Sequence, residues 1–175
     1  MFRRVMRNEE RAAQLRQNVA HSIFAGSAVT DASAAHVEDI DAPLELRMTL
    51  DASAALQPQG EERRLRVPSP FNLGRLTRLE RRRTPLRLGV PDSARWEVRF
   101  EAPRGGRIVR APDDFTVEHP CFRVSRQSVT RGRSATVTID YTRTCTDVSP
   151  EDYPELRRQA QRASTQLQAE VVIAP

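Results

Sequence analysis

The chain has 175 residues, with 28 basic and 23 acidic side chains and a formal net charge of +5. No run of roughly eighteen apolar residues is present, which excludes a membrane-spanning helix, and the basic start lacks the apolar segment of a signal peptide. The length predicts a single domain over residues 1–175. Because only 5% of the residues are aromatic, its core is expected to consist of aliphatic side chains.

A helix is predicted near the amino terminus, over about residues 8–24. Asn8 is a suitable cap, and Gly26 follows the last turn. Its apolar positions share one face, namely Ala12, Leu15, Val19 and Ile23. Residues 27–40 then predict a strand of small residues. Residues 42–54 predict a half-buried strand, because apolar and polar residues alternate there.

The middle of the chain is predicted to be rich in strands. Residues 57–64 indicate a loop, and residues 64–89 indicate short extended pieces broken by Pro and Gly. Residues 94–103 alternate between apolar and charged side chains, as a half-buried strand does. Residues 114–146 predict a β-hairpin with Gly132 in its loop.

A second helix is predicted near the carboxyl terminus, over about residues 152–168. Asp152 is expected to cap it and Glu155 to complete a capping box, while Pro154 fits the first turn. Apolar residues at helical spacing form one stripe, namely Tyr153, Leu156, Ala160, Ala163 and Leu167. The apolar tail over residues 170–175 is expected to pack or to add an edge strand. The predicted fold class is therefore β-rich α+β, an antiparallel β-sandwich or curled sheet with a helix near each end.

The chain contains two cysteines and three histidines, and one of each lies close together in sequence. His119 and Cys121 are two positions apart on a predicted strand, so their Cα atoms lie roughly 6.5–7 Å apart and their side chains run in parallel. A thiolate with a base in hydrogen-bond reach is therefore not expected. A second Cys–His pair that would complete a zinc site is missing, and so is a glycine-rich phosphate loop. The sequence predicts no catalytic residue, no metal site and no cofactor.

Cys121 and Cys145 are candidates for a disulfide, and the register of the hairpin decides whether they meet. A two-residue loop at residues 131–132 matches the apolar faces but separates the cysteines. A three-residue loop at residues 132–134 sets them opposite each other, and then the faces match only if a bulge near Pro120 intervenes. The residues leave both states open, and an oxidising compartment would favour the bridge.

An arginine-rich run over residues 75–87 is the main candidate for an interaction surface. It contains Arg75, Arg78, Arg81, Arg82, Arg83 and Arg87. All 28 basic residues of the chain are arginine, which is typical of a base-composition bias and weakens the case that each one was selected as a contact. Nucleic-acid binders usually add aromatic stacking residues or a recognition helix. A solvated basic face is thus favoured over contact with nucleic acid.

Three segments in series, residues 37–51, 81–112 and 148–158, resemble a known family. The most specific marks are the pattern Arg-x-x-Pro-Leu-x-Leu, which begins at Arg82, and the start of the last helix, Asp152-Tyr153-Pro154. They are similar to the C-terminal β-domain of bacterial transglutaminase-like envelope proteins. In those proteins an N-terminal β-domain and a papain-like transglutaminase core precede it.

The resemblance extends from about Arg7 to the end, and it implies a non-catalytic accessory domain that packs against, orients or gates a transglutaminase-like catalytic domain. That catalytic domain would lie in the same chain or in another protein, and this chain would be part or a relative of a larger multidomain protein. No position here matches the family's Cys, His and Asp. The family also implies a periplasmic or cell-envelope location. The alternative function is an independent module that binds an acidic polymer or an acidic protein through the arginine run.

Overall fold

The computed structural model describes residues 27–39, 41–69, 71 and 73–175, together with four isolated earlier positions. The helix predicted over residues 8–24 lies almost entirely outside these residues and stays a prediction. The contacts divide the chain into two compact units, Met1–Gln57 and Pro58–Pro175, whereas the sequence was interpreted as one domain.

The first unit contains an antiparallel pair of strands, β1 (Ala28–Ala35) and β2 (Glu45–Asp51). β1 is shorter than the strand predicted over residues 27–40, because His36 adopts a positive φ of 58° and turns the chain. β2 also ends early. The Asp51 carboxylate accepts a hydrogen bond from the backbone N–H of Ser53 at 2.9 Å and starts a short 3-10 helix, Ser53–Ala55.

Two four-stranded antiparallel sheets and a separate pair of short strands form most of the second unit. The strands are β3 (Gln57–Gln59), β4 (Glu62–Arg66), β5 (Leu86–Arg87), β6 (Asp92–Glu101), β7 (Arg107–Arg110), β8 (Phe115–His119), β9 (Phe122–Arg131), β10 (Ser134–Arg143), β11 (Asp147–Val148) and β12 (Glu170–Ala174). The β-rich fold class with antiparallel sheets and a C-terminal helix is confirmed.

The sheet β6-β10-β9-β8 supplies much of the core. The central strand β10 alternates as predicted, with Ala135, Val137 and Ile139 each fully buried. β9 and β10 form the predicted hairpin, but its loop is Gly132-Arg133 and its closing pair is Arg131 with Ser134. Gly132 has a φ of +59°, which a residue with a side chain rarely adopts.

The sheet β3-β4-β12-β7 corrects two predictions. The loop predicted over residues 57–64 is a hairpin instead, with β3 and β4 joined by a turn at Gly60. Much of this hairpin is exposed, and its strand residues are mostly polar. The alternation of apolar and polar residues that marks a half-buried strand is therefore missing. The tail was expected to pack or to form an edge strand. It packs as β12, but between β4 and β7, with Val171, Val172 and Ile173 buried.

Helix α1 (Tyr153–Leu167) confirms the second predicted helix, and all five residues of its apolar stripe are buried. The capping box is wrong. Asp152 has the helical backbone angles φ −84° and ψ −16° and makes no side-chain cap, while its carboxylate accepts a hydrogen bond from the Ser149 hydroxyl at 2.9 Å. Glu155 instead accepts a hydrogen bond from the Gln159 amide at 2.9 Å. The turn before the helix therefore engages Asp152 and a residue within the helix engages Glu155, so neither end of the expected box forms.

Candidate interaction surface

The arginine-rich run is held by the first residue of α1. Its start forms a 3-10 helix, Leu73–Thr77, that packs against α1 rather than the extended piece predicted there. Tyr153 is fully buried, and its hydroxyl donates a hydrogen bond to the carbonyl oxygen of Leu79 at 2.6 Å. Because a buried phenol needs a polar partner, this bond fixes the middle of the run against the helix.

Arg82 makes its contacts inside the fold. Its guanidinium carbon lies 5.5 Å from the centroid of the Tyr153 ring, within the range of a cation–π contact. Its Nε donates to the carbonyl oxygen of Thr84 at 3.4 Å. The two marks of the family resemblance, at Arg82 and Tyr153, are thus in contact with each other.

The other predicted arginines differ in exposure. Arg78, Arg81 and Arg83 are exposed, and the side chain of Arg87 is 93% exposed, with its Nε 4.0 Å from the carboxylate of Asp147. The side chain of Arg75 lies outside the described part of the structure. We call Arg78, Arg81, Arg83 and Arg87 the arginine surface. It is a basic, solvated surface that can pair with carboxylates or phosphates.

The end of the run is also fixed. β5 pairs with β11 immediately before α1, with Leu86 opposite Val148. Arg143, at the end of β10, donates through Nη2 to the carbonyl oxygen of Val90 at 2.6 Å and also bonds the carbonyl oxygen of Leu88. The arginine surface is therefore anchored near both of its ends.

His119 and Cys121 do not form a nucleophile–base pair. Cys121 is bonded to Cys145 in a disulfide, and Nδ1 of His119 accepts a hydrogen bond from the backbone N–H of Cys121 at 3.1 Å. Burial lowers the pKa of His119, and the carboxylates of Glu155 and Asp152 oppose that shift. The sulfur is oxidised and the imidazole nitrogen is used by the backbone, so this arrangement cannot supply a thiolate.

The disulfide arises from a register that the sequence interpretation did not consider. With the loop at residues 132–133, Val124 lies opposite Tyr141, so the apolar faces match as required. The same register continues to the backbone hydrogen bond from Thr144 N–H to the Cys121 carbonyl. The chain then leaves the ladder, and one residue later the Cα of Cys145 lies 4.7 Å from that of Cys121, a spacing typical of disulfides.

Arg126 is a buried charge that the sequence interpretation missed. The residue is 4% exposed, and its guanidinium carbon lies 4.9 Å from the centroid of the Phe115 ring. It donates to the Asp113 carbonyl at 3.0 and 2.7 Å and to the Gln166 carbonyl, in the last turn of α1, at 2.6 Å. Burial lowers its pKa, and the carboxylates of Asp113 and Asp114 oppose the shift. Its position on the inward face of β9, two residues after Val124, is the signal that could have identified it.

Metal and membrane sites receive no support from the described residues. No group of three or more His, Cys, Asp or Glu side chains in this part of the chain could hold a metal ion. Over the same residues, none of the helices has the length and apolar character that crossing a bilayer requires.

Comparison with protein families gives a match over residues 65–173, more than half of the chain, to the family described as "Domain of Unknown Function with solved-structure structure (DUF3858)". The chain belongs to this family. The DUF3858 match includes Arg82, Tyr153 and both cysteines, and it leaves out residues 37–51, the first segment of the resemblance noted from sequence.

A solved structure has a similar fold. It is described as a "putative protease" from Parabacteroides distasonis ATCC 8503, with a TM-score of 0.51 and 12% sequence identity. The similarity covers 64% of this chain and 23% of that chain, so the present chain matches about a quarter of a longer protein. A search of curated proteins finds none that matches.

Proposed function

We propose that this chain is a non-catalytic accessory domain that binds and orients a transglutaminase-like, papain-fold catalytic domain, located in the same protein or in a partner. The observation that carries the proposal is the match to 23% of a longer protein described as a protease. There, a similar fold occupies a minor part of a chain whose remainder can hold a catalytic domain. The resemblance of the DUF3858 region to the β-domain that follows a transglutaminase core supports the same assignment.

The disulfide at Cys121 favours a structural role for this chain over a catalytic one. Catalysis by a papain-like site needs a free thiolate beside an imidazole. Here the sulfur of Cys121 is bonded to Cys145, and the nearby His119 accepts a backbone hydrogen bond. The disulfide also supports a location in an oxidising compartment, the periplasm or cell envelope.

The arginine surface is the contact that we propose for the catalytic domain. Its segment is fixed by Tyr153, and Arg78, Arg81 and Arg83 are exposed. A pre-ordered segment loses less conformational entropy on binding. The planar guanidinium groups favour bidentate pairing with carboxylates, so the matching surface on the catalytic domain is expected to be acidic.

The test takes a transglutaminase-like catalytic domain encoded in the same gene or in its neighbours and measures binding to the purified chain by calorimetry. Replacing Arg78, Arg81 and Arg83 by Glu is expected to weaken binding at least tenfold, because each contact becomes a like-charge pair. Replacing the exposed Arg131 by Glu is the matched control and is expected to leave binding unchanged. Peptide hydrolysis or cross-linking by the chain alone, abolished by Cys121→Ala, would refute the proposal.

A second candidate function is binding of an acidic polymer by the same surface. The 93% exposure of the Arg87 side chain favours it, because a phosphate-rich or uronate-rich chain can reach such a group from many directions. Retention on heparin that falls steeply with salt, and that weakens on reversal of Arg81 and Arg83, is the expected result. Retention that salt does not change would remove this candidate.

A further inference from the structure

Strand β6 is the outer strand of its sheet and is ten residues long. Among the described strands it pairs with β10 on one side and has no partner on the other. Nearly all of its residues are exposed or half-buried, and only Phe100 is buried. A long, straight outer strand with an accessible backbone can pair with a further strand unless its side chains prevent it.

The hydrogen bond that follows β6 shows which backbone groups face outward. The N–H of Ala102 donates to the carbonyl oxygen of Arg133 in the β9–β10 loop at 2.8 Å. Because backbone groups alternate in direction along a strand, the even-numbered residues of β6 bond to β10. The odd-numbered residues therefore direct their N–H and C=O groups to the open edge. These are Ser93, Arg95, Glu97, Arg99 and Glu101.

The outward side chains of these residues alternate in charge, as Arg95, Glu97, Arg99 and Glu101. Such an alternation is complementary to itself when the strand runs antiparallel to a copy. We propose that β6 pairs with β6 of a second copy of this chain, antiparallel and in one register, about a twofold axis at Val98. The pairing would join two four-stranded sheets into one continuous sheet of about eight strands.

In this register each of the four charged residues from Arg95 to Glu101 faces an opposite charge. Glu97 lies opposite Arg99 of the second copy, and Arg95 lies opposite Glu101 of the second copy. Both are hydrogen-bonded pairs, so the edge forms about eight backbone hydrogen bonds in all. On the other face Val98 lies against Val98 of the second copy at the closer, non-hydrogen-bonded spacing, and Trp96 lies opposite Phe100 of the second copy.

Neighbouring registers are excluded by charge. A slip of two residues in one direction places Glu97 opposite Glu97, and in the other direction it places Arg99 opposite Arg99. A slip of one residue sets charged side chains opposite apolar ones. A slip of four residues again sets opposite charges together, but it keeps only two of the four pairs, so the register about Val98 is the one with the most complementary charges.

The partner is a second copy rather than another protein, because the complementarity is between β6 and itself. One strand from each copy buries little area, below the roughly 1,200 Å² of a stable interface. The dimer is therefore expected to be weak, with a dissociation constant of about 10–100 µM, and to be missed at low concentration. The proposal is independent of the arginine surface and its catalytic partner.

The test is sedimentation equilibrium of the full chain from about 1 µM to about 1 mM, together with the emission of Trp96, which is the only tryptophan of the chain. The wild-type chain is expected to dimerise with rising concentration and to shift the Trp96 emission to the blue, because the half-exposed indole becomes covered. Glu97→Arg and Arg99→Glu are each expected to weaken dimerisation at least tenfold, since each sets two like-charge pairs across the axis. Arg131→Glu, an exposed charge change away from the edge, is the control and is expected to dimerise as the wild type does.

The decisive experiment measures dimerisation in a mixture of the two variants. Glu97→Arg carries two arginines at positions 97 and 99 and Arg99→Glu carries two glutamates there, so an equimolar mixture is expected to recover a heterodimer with the wild-type affinity. Circular dichroism shows in each case that the variant is folded. A wild-type chain that stays monomeric up to about 1 mM, variants that dimerise as strongly as the wild type, or a mixture that fails to recover pairing would each overturn the proposal.

Discussion

Arg126 is expected to be one of the most sensitive positions of the fold. Arg126→Ala removes hydrogen bonds to the carbonyls of Asp113 and Gln166. Gln166 lies in the last turn of α1, where carbonyls have no partner within the helix. The guanidinium thus satisfies one carbonyl of the helix end and ties it to the segment that enters β8.

The magnitude follows from the groups left behind. A hydrogen bond from a charged donor contributes about 1.5–3 kcal/mol, and the substitution removes this donor from two carbonyl oxygens, those of Asp113 and Gln166. The loss of the contact with the Phe115 ring adds about 0.5–1 kcal/mol. Part of the loss is offset, because the desolvation of the guanidinium no longer has to be overcome on folding. We therefore expect a loss of about 3–5 kcal/mol, a large fraction of the roughly 5–15 kcal/mol of a typical domain.

The measurement is urea unfolding followed by circular dichroism and by the fluorescence of Trp96, which reports on the same sheet because Ile139 lies between it and Arg126. Arg126→Lys keeps the charge but cannot reach both carbonyls, so an intermediate loss of about 1–3 kcal/mol is expected. Arg131→Ala, on the exposed end of the same strand, is the control and is expected to change stability by less than about 0.5 kcal/mol. A loss below about 1 kcal/mol for Arg126→Ala would refute the reasoning that this group closes the helix end.

Three further predictions concern the neighbourhood of α1. Reduction of the bridge between Cys121 and Cys145, or replacement of both by Ala, is expected to cost about 2–4 kcal/mol in urea unfolding, since the bridge closes a loop with a sequence separation of 24. No loss on adding a reductant would contradict this. Tyr153→Phe is expected to cost about 1–2 kcal/mol, because the carbonyl of Leu79 loses its donor; an unchanged midpoint would show that water replaces the phenol. Because burial lowers the pKa of His119 in the folded protein, the unfolded chain binds a proton first, so stability falls as pH drops below about 6.5 and levels off once the folded form is also protonated. His119→Asn keeps an acceptor for the N–H of Cys121 and is expected to flatten that part of the pH profile, and an identical profile for both proteins would count against it.

Elements with strong periodicity were predictable from sequence. The spacing of Tyr153, Leu156 and Leu167 located α1 because a helix that packs on one side must place its apolar residues every three to four positions. The alternation around Val137 located β10 for the corresponding reason in a strand. In both cases local sequence and burial impose the same pattern.

Elements whose residues are mostly exposed, or whose contacts are distant in sequence, were not predictable in the same way. The hairpin of β3 and β4 is polar, so residues 57–64 resemble a loop. The capping box at Asp152 failed because Ser149 competes for the same carboxylate. Among the candidate interaction residues, Arg82 could not be distinguished from its neighbours. It contacts the ring of Tyr153, which lies 71 positions later in the sequence. A charged residue such as Arg126 suggests an exposed face until the helix end that it serves is known.

The contacts of α1 separate two kinds of arginine. Arg82 and Arg126 lie at opposite ends of the helix, one over the ring of Tyr153 and the other on the carbonyl of Gln166. Both contact the helix directly, so their loss is expected to lower stability at any salt concentration. Arg81 and Arg83 are exposed, so their replacement is expected to leave stability nearly unchanged and to affect only a bound partner. We therefore compare the free energy of unfolding with the affinity for a partner in Arg82→Ala and Arg83→Ala. This comparison distinguishes a residue that holds the surface in place from one that contacts the partner. If the two substitutions changed stability equally, the distinction between them would fail.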